Sequence, residues 1–415
     1  MNIRPSILAS SIASLFLLAG TSPAVNWNGS VSGDWNTGAN WSGGLVPGAG
    51  PNPDANIFSI GANIPTISSN LISIPTDIRV GQFDNANGQL NHLAGLAATG
   101  SGNWMTVGAG TNSVGVYNLA DTTSAGGTLT GFGKGSGSMT VTNSNLWVGG
   151  TGNEAGGTGT VNINTTGVLT VGNELHVGAN GGNGTLTMDA GTLNGNGEVF
   201  VGRNANSTGV MSISGGTIKI NNILNVGRDG GAGLVNMAGG SMAVEREVRI
   251  GWGTGGNGTV VLSDGAFLGG GIRPSDNNNV SIGSNGGTGT ATVTGAGTLL
   301  FASGELHIGN NNNSTGSVTV SGGTVSSAGW LGIGRDGSTG SLTINGTGIV
   351  SQGAVDLTGD VALELTNFSK PTTATVNLDG GTLLVNRVVN GAGGNSNLFF
   401  NGGTLKARLD RGDFM

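Results

Sequence analysis

The chain has no cysteine, and its 415 residues include only 3 histidines, 9 prolines and 9% charged side chains. Each scarcity removes an option. Without thiols there is no disulfide framework, no cysteine nucleophile and no thiolate metal site. Three histidines are too few for a His-rich metal centre, and no cofactor-binding pattern takes its place. Few prolines and no Gly-X-Y period rule out collagen, although 85 residues are glycine. Charge at 9% compares with about 25% in an average globular protein. With a net charge of −7 there is no basic stripe to neutralise phosphates, which argues against a nucleic-acid partner.

What the chain does have is a phrase repeated about every 25 residues. An aliphatic triplet ending in glycine reads Leu-His-Val-Gly at 175–178, Val-Phe-Val-Gly at 199–202 and Leu-Asn-Val-Gly at 224–227. It returns as Val-Arg-Ile-Gly at 248–251, Val-Ser-Ile-Gly at 280–283, Leu-His-Ile-Gly at 306–309 and Leu-Gly-Ile-Gly at 331–334. Successive closing glycines are 24, 25, 24, 32, 26 and 25 residues apart. A fixed period of this size marks a solenoid, whose units cannot bury their apolar faces alone and must stack.

One coil, 174–197, shows the expected geometry. Alternation sends Leu175 and Val177 inward, Glu174 and His176 outward. A Gly/Asn turn follows, then Thr185-Leu186-Thr187-Met188 with Leu186 and Met188 inward, a second turn, and Thr192-Leu193. The second inward pattern recurs as Val161/Ile163, Met211/Ile213, Val235/Met237, Val318/Val320 and Leu342/Ile344. The third recurs as Ile218, Met242, Leu299 and Val325. Three short strands per coil predict an all-β, right-handed parallel β-helix. Around 12 coils at ~4.8 Å give a rod of roughly 60 Å. Irregular intervals fall at 109–148, read as a degenerate coil, at Gly150–Gly157, and at Gly269–Asn279 with its Arg273-Pro274-Ser275-Asp276.

Residues 1–24 read as a signal peptide, with Arg4, an apolar stretch from Ile7 to Ala19 and a Ser22-Pro23-Ala24 cleavage site. The expected location is therefore secreted or extracellular, at the outer surface of a bacterium, with no membrane span in the mature chain. Residues 25–90 break the period, and 25–98 are expected to form an N-terminal Trp-rich cap, because an open solenoid end exposes core and unpaired strand edges. Residues 99–415 are assigned to the repeats. The cap holds Trp27, Trp35 and Trp41. Packing over the first coil is the primary reading of these rings, and a glycan-stacking platform is the functional alternative.

The segment Trp27-Asn28-Gly29, Asp34-Trp35, Asn40-Trp41-Ser42, then Pro47, Pro51, Pro53 and Asp54, resembles that of a group of secreted bacterial proteins. These are proteins with autotransporter-associated β-strand repeats, many of which carry a PEP-CTERM surface-sorting tail. The Leu-x-Val-Gly triplets are similar to theirs, as are Asn377-Leu378-Asp379-Gly380-Gly381-Thr382-Leu383 and Phe400-Asn401-Gly402-Gly403-Thr404-Leu405-Lys406-Ala407. The resemblance implies a β-helical, adhesin-like surface protein. No Pro-Glu-Pro motif, apolar helix and basic tail follow Ala407, so the repeat array is expected to be incomplete at Met415.

Catalysis needs converging groups, and few are on offer. His176 and His307 take the same outward position five coils apart and read as surface spacers. Gly-Arg-Asp-Gly at 227–230 and 334–337 lacks the Gly-Gly-x-Gly-x-Asp order of calcium β-rolls, so Asp229 and Asp336 are expected to bond turn amides. Gly253–Gly258 has no Lys-Ser/Thr of a phosphate loop. Arg411-Gly412-Asp413 matches an integrin-type tripeptide, short enough to recur by chance. The best enzymatic face is Glu174 and Glu198 on adjacent coils, with Glu247 two coils on and Arg203 and Arg228 at the following turns. A second outward column, Thr185/Thr187, Thr290/Thr292, Ser317/Thr319 and Ser341/Thr343, offers a hydroxyl array. The leading expectation is a non-enzymatic structural or adhesin-like protein whose partners are extracellular polysaccharide or cell-envelope components. The alternatives are a polysaccharide lyase or hydrolase and a carbohydrate-binding surface protein.

Overall fold

The computed structural model describes residues 25–49, 54–124, 132–271, 278–353, 361–367, 370–410 and 412–415. Residues 1–24, expected above to be a signal peptide, Pro51 and Pro53, the segment Arg273-Pro274-Ser275-Asp276 and Arg411 lie outside the described residues. About 13 turns of ~25 residues wind into a parallel β-solenoid. Among the described residues, no helix is long and apolar enough to cross a membrane.

Each full turn carries three strands, and the strands stack into three ladders. The first ladder has 14 strands, all parallel, from Val25–Asn26 to Val388–Asn390. The second and third run beside it and fuse where one strand serves both, as in Thr158–Val171 and Asn183–Gly195, with register shifts at the bend. In-register stacking places Val177, Val201, Val226 and Ile250 in one inward column, every side chain fully buried. Leu175, Val199, Leu224 and Val248 form the column beside it.

Two glycines explain the repeated phrase. At the corner after the first strand, Gly202 has φ +72°, and a Cβ there would stand 2.0 Å from the carbonyl oxygen of Ala232. In the second strand, a Cβ on Gly209 would stand 2.1 Å from the Val177 carbonyl oxygen and 2.2 Å from the Gly202 amide. No side chain fits either place. The next corner positions need positive φ as well and take Asn204, Asp229 and Asp336, at +68°, +51° and +48°. The expected partners of the two aspartates are corrected here. Asp229 pairs with Arg228 Nε at 3.0 Å and Asp336 with Lys370 Nζ at 2.8 Å.

Other expectations shift in detail. The first ladder begins at Val25, so the Trp-rich N-terminal region, residues 25–98, also contributes rungs at Val25–Asn26, Ala55–Ile57 and Ile78–Gln82. The tryptophans fold over this start. Trp41 packs edge-on against Trp27 and Trp35, with ring centroids 4.9 and 4.7 Å away. Trp41 Nε1 donates to the Trp35 carbonyl and Trp27 Nε1 to the Asn63 carbonyl, each at 2.8 Å. The degenerate coil at 109–148 occupies one rung of the stack, since Met105–Val107 pairs with Leu146–Val148 and its other strands pair with Thr158–Val171. In the third ladder Leu300, not Leu299, points inward, a one-residue slip that exchanges the faces. Val210, Leu234 and Val261 interrupt the Thr column, so it is no continuous hydroxyl array.

Candidate functional site: the outer surface of the first sheet

Parallel, in-register stacking turns each outward position into a column at ~4.8 Å steps. On the first sheet the middle column reads Trp147, His176, Phe200, Asn225, Arg249, Ser281, His307, Gly332, Glu364. Just before each strand stand Glu174, Glu198, Ile223, Glu247, Asn279, Glu305 and Trp330. After it comes a third column of Arg203, Arg228, Trp252, Ser284, Asn310, Arg335 and Asn367. Of the seven glutamates in the chain, Glu174, Glu198, Glu247, Glu305 and Glu364 lie on this one surface. A chain poor in charge has gathered much of it on a single face.

The expected quartet Glu174, Glu198, Arg203 and Arg228 is brought together, and it is already internally satisfied. Arg203 Nη1 lies 3.6 Å from Glu174 Oε2, and Arg228 Nη1 lies 3.2 Å from Glu198 Oε2. Asn225 Nδ2 also donates to Glu198, at 3.0 Å. Glu247 likewise holds Arg249 Nε at 2.6 Å, and that guanidinium lies 4.2 Å over the Trp252 ring.

His176 is not the surface spacer expected of it. The ring is outward in register but completely buried, because the rings one coil below and one coil above cover it. Trp147 stacks on it at 3.7 Å with planes 5° apart, and Phe200 at 4.9 Å with planes 3° apart. Its Nε2–H donates to Glu174 Oε2 at 2.9 Å, while Nδ1 is buried without a partner. Burial pushes the imidazole pKa down against the pull of Glu174, and the His176 hydrogen bond holds the Glu174 carboxyl below its usual range. The pair is therefore neutral imidazole and carboxylate. Arg203 caps the Phe200 ring at 4.3 Å.

Five coils on, the same phrase recurs with a different outcome. His307 Nε2 donates to Glu305 Oε2 at 2.8 Å, and Arg335 Nη1 lies 3.0 Å from that nitrogen and 3.7 Å from that oxygen. The slot above the imidazole belongs to Gly332, where a Cβ would meet nothing nearer than His307 Cδ2 at 3.4 Å. A cleft of about 270 Å³ opens there, lined by Glu305, His307, Trp330, Gly332, Arg335, Glu364 and Asn367. Its carboxylates are driven apart. The His307 hydrogen bond holds Glu305 low, whereas burial pushes Glu364 up despite a hydrogen bond from Asn367. Opposite shifts in one cleft are the electrostatic pattern of working carboxyl pairs.

Sequence reasoning missed this cleft and read His307 as a spacer. The signal was Glu-Leu-His, present at both 174–176 and 305–307, each answered one coil later by Val/Ile-Gly-Arg at 201–203 and 333–335. The glycan-stacking alternative for Trp27, Trp35 and Trp41 is corrected. At 5%, 1% and 1% exposure they pack against one another and offer no open ring face. The Gly150–Gly157 insertion borders a wide depression of about 630 Å³ lined by Thr111 to Val114 and other uncharged residues, with no acid or base in its wall. Among the described residues, no group of three or more His, Asp or Glu is placed to hold a metal ion. In comparisons with known proteins, no family model, no curated protein and no solved structure matches the chain.

Proposed function

We propose that the protein is a secreted or surface-displayed β-solenoid with a structural, adhesin-like role, related to bacterial proteins with autotransporter-associated β-strand repeats. Its first sheet is the adhesive face, and extracellular polysaccharide or cell-envelope glycan is its partner. One observation carries this reading. Carboxylates, guanidinium groups and aromatic rings are collected on one rigid surface and repeat at strand spacing, a geometry suited to a polymer with its own repeat. At the quartet the described side chains are held by ion pairs and stacking, which leaves Glu174 and Glu198 committed to partners within the sheet. A second reading, a polysaccharide lyase or hydrolase, draws on the oppositely shifted Glu305 and Glu364.

The test is purified protein offered immobilised plant, algal and bacterial polysaccharides, with both retention and soluble products measured. Retention without product release supports the adhesive reading, and release of shortened chains supports the enzyme. If products are released, Glu198→Gln should leave the rate of release unchanged, because that carboxylate is committed to Arg228 and Asn225 and is not free for acid–base chemistry. Export is tested separately, by sequencing the N-terminus of protein recovered outside the cell, with Val25 as the expected first residue.

A further inference from the structure

The two Glu-His-Arg sites occupy equivalent places in the strand register. Glu174, His176 and Arg203 correspond to Glu305, His307 and Arg335. Between them in the stack, the first site has Glu198 and Phe200, and the second has Trp330 and Gly332. The filled copy thus shows what the open copy is shaped to hold. A six-membered ring lies flat on the imidazole with the guanidinium of the next coil over its far side.

We infer that the His307 cleft is a subsite for one neutral sugar ring of a glycan, which stacks on His307 in the position Phe200 takes over His176. This rests on the proposal that the first sheet binds glycan, and it names the place and the chemistry. The volume, about 270 Å³, equals roughly nine water molecules at ~30 Å³ each, room for a single pyranose. Trp330 supplies an apolar wall beside the slot. Glu305 and Glu364 offer carboxylate oxygens to hydroxyl donors, beside the Arg335 guanidinium that is engaged with Glu305 and His307. In the described lining two carboxylates stand against one arginine, which is engaged with Glu305, and Arg387 acts on Glu364 from farther off, so the cleft favours a hydroxyl-bearing neutral ring over a uronate.

Gly332→Phe tests this directly. The added ring has space, and the backbone there is ordinary extended strand, so the variant should fold with an unchanged melting temperature while filling the slot. Calorimetric titration of the whole protein with cellohexaose, maltohexaose and mannohexaose, followed also by Trp330 fluorescence, should show binding of at least one. Gly332→Phe should weaken it at least tenfold. Glu364→Gln, which keeps volume and removes charge, should weaken it several-fold and covers the case in which Gly332→Phe misfolds. Binding that survives both changes overturns the subsite and leaves the adhesive face standing. Failure of the native protein to bind any of the three hexasaccharides, while it is still retained on polysaccharide, also overturns the subsite alone. No retention on any polysaccharide overturns both. Shortened oligosaccharides would confirm the subsite and move the protein to the enzymatic reading.

Discussion

The two Glu-His-Arg sites share side chains, spacing and register, yet one is a rivet and the other a cleft. At His176, Trp147 and Phe200 close both ring faces and Arg203 covers Phe200, so the charged groups serve only the stack. At His307, Ser281 and Gly332 flank the ring, and the same charged groups face open space. The difference lies in the adjacent rungs and not in the triad itself. In a solenoid, each residue's environment is written one coil away, about 25 residues distant in sequence.

The largest expected effect tests which side of the sheet is which. Val226 lies inward between Val201 and Ile250 while its neighbour Asn225 continues the outer column beyond Phe200. Val226→Asp would bury a charge with no partner, at a cost of several kcal/mol, and the protein should fail to fold or melt far lower. Thr187→Asp on an outer face should cost well under 1 kcal/mol. Equal losses would break the inside-outside assignment on which the comparison stands. Next in size is Phe200→Ala, which removes a buried ring and its stacking and cation–π contacts. It should cost about 3 kcal/mol, the lower end for aromatic truncation, and appear as a lower urea midpoint. A loss below ~0.5 kcal/mol, the surface-substitution range, would mean that the aromatic stack is ornamental.

Much of this architecture was legible beforehand. Coil length, the strand triplets and the Val177-Val201-Val226-Ile250 column follow from apolar alternation, which fixes register because a one-residue slip exposes every aliphatic group. The exception proves the mechanism. At Leu299-Leu300 two adjacent leucines leave the phase undecided, and the structure turns Leu300 inward. The cleft was harder to see. Glu364 follows Gly332 by 32 residues instead of 25, so its place above the slot depends on a longer connection that periodicity does not count. Burial of His176 was likewise invisible, since alternation gives the direction of a side chain and not the bulk of its neighbours one coil away.

The closed site also predicts acid sensitivity. Burial lowers the folded-state pKa of His176 below the ordinary histidine value of 6.5, so between that value and the folded pKa the unfolded chain holds more protons. Stability must therefore fall as pH drops below about 6.5. His92, buried and pushed down to about 4 with Tyr117 and Gly95 as its partners, acts in the same direction. Glu174, also lowered, adds its loss as pH falls below 4.5. His176→Gln should flatten the decline in urea midpoint between pH 6.5 and 5 by the share that His176 contributes, leaving that of His92. An unchanged slope would mean that the stacked imidazole accepts a proton in place.

The smallest effects separate the two carboxylates of the open site by sign. Glu305 is stabilised as a carboxylate by the His307 hydrogen bond, so its contribution is present above its ordinary pKa and lost as pH falls through the lower folded value. Glu364 is raised by burial, so its ionised form costs stability at neutral pH, and the cost is relieved as pH falls through the raised value. Both groups are partly solvated, which holds each effect to a few tenths of a kcal/mol. At pH 7, Glu305→Gln should lower the urea midpoint slightly and Glu364→Gln should raise it slightly, and at pH 4 both differences should shrink. A native ligand-binding cleft tolerates such a cost when the ionised group serves the ligand, whereas a rivet has no reason to keep it. If Glu364→Gln destabilises the protein at pH 7, that carboxylate is a structural partner like Glu198, and the open site is a second rivet missing one ring.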